Sequence, residues 1–217
     1  MEIRLCGFLF LLIIFLYLIL IPALGYKVEI TDSDAELHKI NENLRKFQIG
    51  IGLALFHNVL VITLAIMLFI VFSPYNLILG IVWVIFRIGE GMILIYNDKN
   101  YRGLIKIAKK YADTSDIEKI SLNNIARNII KTKSSTFYVA LIFWSIGTLT
   151  FSIVLVSYGT VLSLIGWLGI IGSILTGFGN GIKLLKQKKI LFESIGGLVA
   201  LIFEILVGGW LLFFASV

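Results

Sequence analysis

Six long apolar runs, broken by short polar clusters, set the pattern of this chain. They cover residues 5–26, 49–72, 77–96, 136–156, 161–182 and 190–215. A helix rises 1.5 Å per residue, so about 20 apolar residues cross the hydrocarbon of a bilayer. None of the runs alternates with period two, and a bilayer offers unpaired amides no partner, so each is expected to be a closed helix. Two pairs of runs are joined by tight turns, Ser73-Pro74-Tyr75-Asn76 and Ser157-Tyr158-Gly159-Thr160. The expected fold is an all-α membrane protein: a six-transmembrane-helix bundle making one membrane domain over residues 1–217. A rival reading of the first run is a signal peptide, with Arg4 ahead of it and Ala23-Leu24-Gly25 as a small-x-small cleavage site. Its apolar stretch exceeds the usual length for such a peptide, and a retained span is the expectation.

The polar segments carry a helical period of their own. In residues 31–47, Ser33 and Glu36 have the spacing of a capping box, and Leu37, Ile40, Leu44 and Phe47 share one stripe. Further on, Tyr101, Leu104, Ile105, Ala108, Tyr111 and Ala112 oppose Arg102, Lys106, Lys109 and Lys110. Ser115 and Glu118 repeat the capping-box spacing ahead of Leu122, Ile125, Ala126, Ile129 and Ile130. These read as short amphipathic interfacial helices in the basic loops, their cations near anionic lipid head groups.

Composition agrees with the pattern. Of 217 residues, 59% are hydrophobic and only 15% charged, with a mean hydropathy of +0.98. The net charge is +6. In a soluble protein that excess would suggest nucleic acid; here basic loops beside anionic lipid explain it, and no nucleic-acid partner is expected. All but Arg4 and Arg87 of the 19 Lys and Arg residues fall in the three loops on one side of the six runs. The expectation is a cell-membrane protein with those loops in the cytoplasm and both termini outside. Cys6 is the single cysteine, so no disulfide framework and no thiolate metal site follow.

Ionisable groups inside spans cost a few kcal/mol each and call for a partner or a purpose. Span two carries His57 and Asn58, span three Arg87 and Glu90, span six Glu193 and Glu204. Arg87 and Glu90, three apart, share a helix face. Counted from the basic side, Glu193 lies about 5 Å deep, Glu90 about 9 Å, His57 about 12 Å, Arg87 about 14 Å and Glu204 about 21 Å. Glu193 and Glu204, about three turns apart, face the same way, with Gly197, Ala200 and Gly208 beside them. His57, Arg87, Glu90, Glu204 and Glu193 are therefore the candidate interior polar cluster. It reads in two ways: a polar cavity in which Arg87 holds an anionic group while His57 or Glu90 moves a proton, or an ion-pair network that only fixes how helices pack. In span five, Gly169, Ser173, Gly177 and Gly181 recur every four residues, a small-xxx-small ladder for close helix approach. Its partner is a helix of the same chain or of a second copy.

The chain has no HExxH, GxSxG, P-loop or CxxC, and no paired intramembrane histidines. No cofactor or metal is expected, and an enzyme is the least favoured reading. The stretches Asp34-Ala35-Glu36-Leu37, Asn41-Glu42-Asn43 and Phe47-Gln48-Ile49-Gly50 resemble the prokaryotic membrane proteins grouped as domain of unknown function 4386. So do Val84-Ile85-Phe86-Arg87-Ile88-Gly89-Glu90-Gly91 and Ile165-Gly166-Trp167-Leu168-Gly169-Ile170-Ile171-Gly172. The resemblance spans residues 30–215 and implies six helices with no catalytic residues to carry over. It also implies basic residues before span one and between spans four and five. Here the turn Ser157-Tyr158-Gly159-Thr160 has none. Two functions stay open: a small-solute or proton binding bundle of transport type, and a structural or accessory membrane subunit.

Overall fold

The computed structural model describes residues 2–26, 33–186 and 191–214. Lys27, Lys188, Lys189 and the outer ends of the sixth run lie outside them. Among the described residues the regular elements are helical. The chain runs through α1 (Glu2–Phe15), a π-helical turn (Leu16–Leu20), α2 (Ile21–Ala23), α3 (Ser33–Glu42) and α4 (Leu44–Phe72). It continues through α5 (Leu77–Tyr101), α6 (Gly103–Ala112), α7 (Asp116–Ser157), α8 (Ser163–Lys186) and α9 (Leu191–Phe213). Among the described residues, six stretches are long and apolar enough to cross a membrane: Glu2–Ala23, Leu44–Phe72, Leu77–Ala112, Asp116–Ser157, Ser163–Leu185 and Leu191–Phe213. The chain is a multi-pass helical membrane protein.

Helices two to four outrun their apolar cores on the basic side. The piece from Asp116, expected as a separate amphipathic helix, is continuous with the fourth span. At 42 residues α7 is about 63 Å long, roughly twice the hydrocarbon thickness. The reason is local: Asn128, Lys131 and Lys133 are polar yet helix-compatible, and no Pro or Gly interrupts residues 116–135. At the other ends the turns are sharp. Asn76 Oδ1 accepts the Leu79 N–H at 3.0 Å and caps α5, and Gly159 takes φ +62° in the turn after α7.

The chain divides into two compact units. The first comprises Met1–Ile14, Asn58–Met92 and Tyr138–Val217. Its core gathers Cys6, Phe10, Leu64, Leu68, Trp83, Phe151, Leu155, Phe203, Val207 and Leu211. Small residues set the crossings. A Cβ on Gly7 would stand 2.6 Å from the Gly208 carbonyl oxygen, so α1 meets α9 backbone to backbone. The α8–α9 hairpin closes through Gly172 on Ala200, Gly179 on Glu193 and Gly196 on Thr176.

The second unit comprises Phe15–His57 and Ile93–Phe137. Its core joins the amphipathic stripes to one another: Leu37, Ile40 and Phe47 with Tyr101, Leu104, Ala108 and Tyr111, and with Leu122, Ala126 and Ile130. Ala112 and Ile125, expected on those stripes, are exposed. The capping box at Ser33 does not form as written. The Ser33 hydroxyl donates to Asn123 of α7, and Glu36 pairs with Lys39. Asp34 accepts Tyr111 at 2.5 Å and Asn123 at 2.8 Å. Glu118 likewise takes the Thr114 hydroxyl and Lys110. Ser33, Asp34 and the Lys110–Glu118 pair thus tie helix to helix, while Glu36–Lys39 and Thr114–Glu118 stay local.

Candidate functional site

In the first unit, α5 presents Arg87 and Glu90 to the interior because residues three apart share a helix face. Arg87 Nη1 donates to Glu90 Oε2 at 2.5 Å, and both side chains are almost fully buried, at 4% and 8% exposure. The guanidinium carbon lies 5.3 Å from the centre of the Trp83 ring, one turn earlier on the same helix. Trp83 is itself held, its indole N–H donating to the Ala65 carbonyl of α4 at 3.0 Å. From α7, Gly147 leaves room for the arginine stem: a Cβ there would stand 3.0 Å from Arg87 Cγ.

Glu204 of α9 completes the group. Trp144 of α7 donates its indole N–H to Glu204 Oε1 at 2.9 Å, and Glu204 interacts electrostatically with Arg87 and Glu90. One cation thus faces two carboxyls. Arg87 Nε is buried and has no hydrogen-bond partner, a condition found in few buried donors.

Arg87, Glu90 and Glu204 are brought together in the first unit. Glu193 pairs with Lys183 of α8, whose ammonium also sits 4.6 Å from the centre of the Tyr138 ring. His57 belongs to the second unit, where its ring lies 5.7 Å from that of Tyr17. The small residues expected beside the carboxylates also separate: Gly208 meets α1, Ala200 meets α8, and Gly197 faces open space.

On the ladder of span five, Gly169 meets Ser152 of α7 and Phe203 of α9, and Gly177 meets Ser145 of α7; off the ladder, Gly172 and Gly179 meet α9. Gly181, expected on the ladder, has nothing within 4 Å. Within the described residues, then, the ladder has partners in its own chain.

A second buried polar group went unread in the sequence. Tyr26 donates its hydroxyl to Asp98, and Lys133 Nζ sits 3.5 Å from the Tyr26 ring centre and 3.4 Å from that of Tyr101. Asn97 anchors the same turn through the Lys133 carbonyl at 3.0 Å. Burial first, then the Asp98 carboxylate, pushes the Tyr26 phenol far above its ordinary range. Asp98 and Lys133 look like loop charges because each neighbours other charges in sequence. The readable signal was Tyr101 on the amphipathic stripe, with Asp98 three residues before it.

The profile of a family described as a domain of unknown function, DUF4386, matches residues 5–215. The chain belongs to this family. The match covers nearly the whole DUF4386 chain, reaching further toward the N-terminus than the resemblance over residues 30–215, and among the described residues six helices able to span a membrane accompany it. No curated protein and no solved structure matches this DUF4386 protein.

Proposed function

We propose that this DUF4386 protein is a proton-binding membrane bundle of the small-solute or proton transport type, with Arg87, Glu90 and Glu204 as its binding centre. The supporting observation is charge balance: one buried guanidinium faces a buried carboxyl, Glu90, and a half-buried one, Glu204. In a low-dielectric interior the guanidinium neutralises one carboxylate, and the other is balanced by a proton. The unpartnered Arg87 Nε adds a donor for a water or an anionic group. Basic loops facing the cytoplasm of a cell membrane, with both termini outside and anionic lipid at the loops, complete the reading; the one-sided distribution of Lys and Arg supports it.

A structural or accessory subunit is the second reading. Trp83 under the guanidinium, Gly147 against its stem and Trp144 on Glu204 favour it, since all three fix helix contacts. Infrared difference spectroscopy on protein in lipid separates the two. A proton-binding centre gives a protonated-carboxyl stretch that disappears in Glu204→Gln or Glu90→Gln while the helical content stays. Absence of that band in folded wild-type protein sinks the proton reading in favour of the structural one.

A further inference from the structure

The first unit holds other buried polar atoms that the binding centre does not use. On α8, Thr176 Oγ1 and Asn180 Oδ1 have no hydrogen-bond partner, although the residues are only 4% and 1% exposed. A buried acceptor without a partner is costly, and buried water commonly relieves such groups.

Their place on the helix gives them a direction. At 100° per residue, Ser173, Thr176, Asn180 and Lys183 fall within an arc of about 80°. That arc lies between Gly172 and Gly179, which touch α9, and Gly177, which touches Ser145 of α7. The stripe therefore points into the groove shared by α7, α8 and α9. Lys183 shows this directly, because it reaches Glu193 of α9 and Tyr138 of α7 at once.

Two carboxyls of α9 lie along this hairpin. Glu193 stands at one end, its side chain still 23% exposed. Along the antiparallel α8–α9 pair, Gly179 is level with Glu193, Thr176 with Gly196, Gly172 with Ala200, and Gly169 with Phe203, next to Glu204. Asn180 and Thr176 thus lie near the Glu193 end, and Ser173 one turn nearer Glu204. The hydroxyls of Ser145 and Ser173 donate to their own helices, both at 2.7 Å, which leaves their oxygens as acceptors. Trp144, beside Ser145 in sequence, donates its indole N–H to Glu204 and so orients that carboxyl.

We propose that this groove holds a file of ordered water, seated on Asn180 and Thr176, by which protons pass between Glu193 and Glu204. The proposal rests on the proton-binding reading of Arg87, Glu90 and Glu204, and adds its route of access. Glu193, held by Lys183 and Tyr138, is the mouth; Glu204, faced by Arg87, Glu90 and Trp144, is the inner acceptor. A proton taken up at Glu193 passes to the first water, each water gains one proton and releases one, and the last proton adds to the Glu204 carboxylate.

The test is the rate at which the buried carboxyl exchanges its proton for deuterium after transfer to heavy water, read from the shift of its infrared stretch. Thr176→Val with Asn180→Leu keeps side-chain volume and removes the water seats. It is expected to slow exchange by at least about tenfold while the band remains. Unchanged exchange with the band present overturns the water file and leaves the binding centre standing. A band absent from the wild type overturns the centre instead. A second measurement holds if the double variant does not fold or the band is absent. Asn180→Cys, in a Cys6→Ser background, is expected to react in lipid with a small water-soluble methanethiosulfonate. Lack of reaction shows a dry groove and overturns the proposal.

Discussion

Single side chains carry much of the structure's electrostatics, and the tyrosine-caged lysine shows how. Lys133 rests between the rings of Tyr26 and Tyr101, with the Asp98 carboxylate as its electrostatic partner. Removing one member of a buried pair leaves an uncompensated charge, whereas removing both can be near neutral. Asp98→Asn is expected to cost roughly 3–5 kcal/mol, and Asp98→Asn with Lys133→Met to regain most of it. Thermal unfolding in detergent checks this, and additive losses would refute the coupling. The contrast with Arg87 and Glu90 explains what could be read from sequence alone. A charged pair three apart inside an apolar run announces itself. Asp98 and Lys133 are 35 positions apart among other charges, so only the folded chain pairs them. Trp144 was silent for the opposite reason, since an indole inside a span reads as apolar until its N–H finds Glu204.

At the scale of elements, hydropathy reports where lipid is, not where a helix ends. The six runs were legible because each must satisfy its own backbone in lipid. The continuation of α7 back to Asp116 was not, because polar helix formers carry no hydrophobic signal. The amphipathic stripes were legible by period, but their partners were not: Leu37 and Ile40 meet Leu104 and Ala108, apolar face against apolar face, rather than lipid. Glycines separate just as sharply once contacts are known. Gly7→Val and Gly172→Val drive a side chain into the backbone of α9 and are each expected to cost about 1–3 kcal/mol or more. Gly181→Ala meets nothing within 4 Å and is expected to be neutral or to stabilise by up to about 1 kcal/mol through helix propensity. Unfolding midpoints compared across the three variants decide it; equal losses would mean that the crossings do not set stability.

For the whole molecule, the proposed orientation rests on the cost of carrying charge across lipid. A Lys or Arg at the centre of a span costs about 2.5–3.5 kcal/mol on insertion scales, and short basic loops are retained on the cytoplasmic side. Nine basic residues lie between residues 97 and 135, while the turns at residues 73–76 and 157–160 have none. The stiff, continuous α7 adds to this bias, because Arg127, Lys131 and Lys133 lie on the helix that leads directly into the fourth span. Alkaline phosphatase fused after Val217 is therefore expected to be active, and a fluorescent protein inserted at Thr114, between α6 and α7, to fluoresce. The opposite pair of results would invert the topology. It would place Glu193 at the outer face, so that a water file through the α7–α8–α9 groove would open to the outside rather than to the cytoplasm.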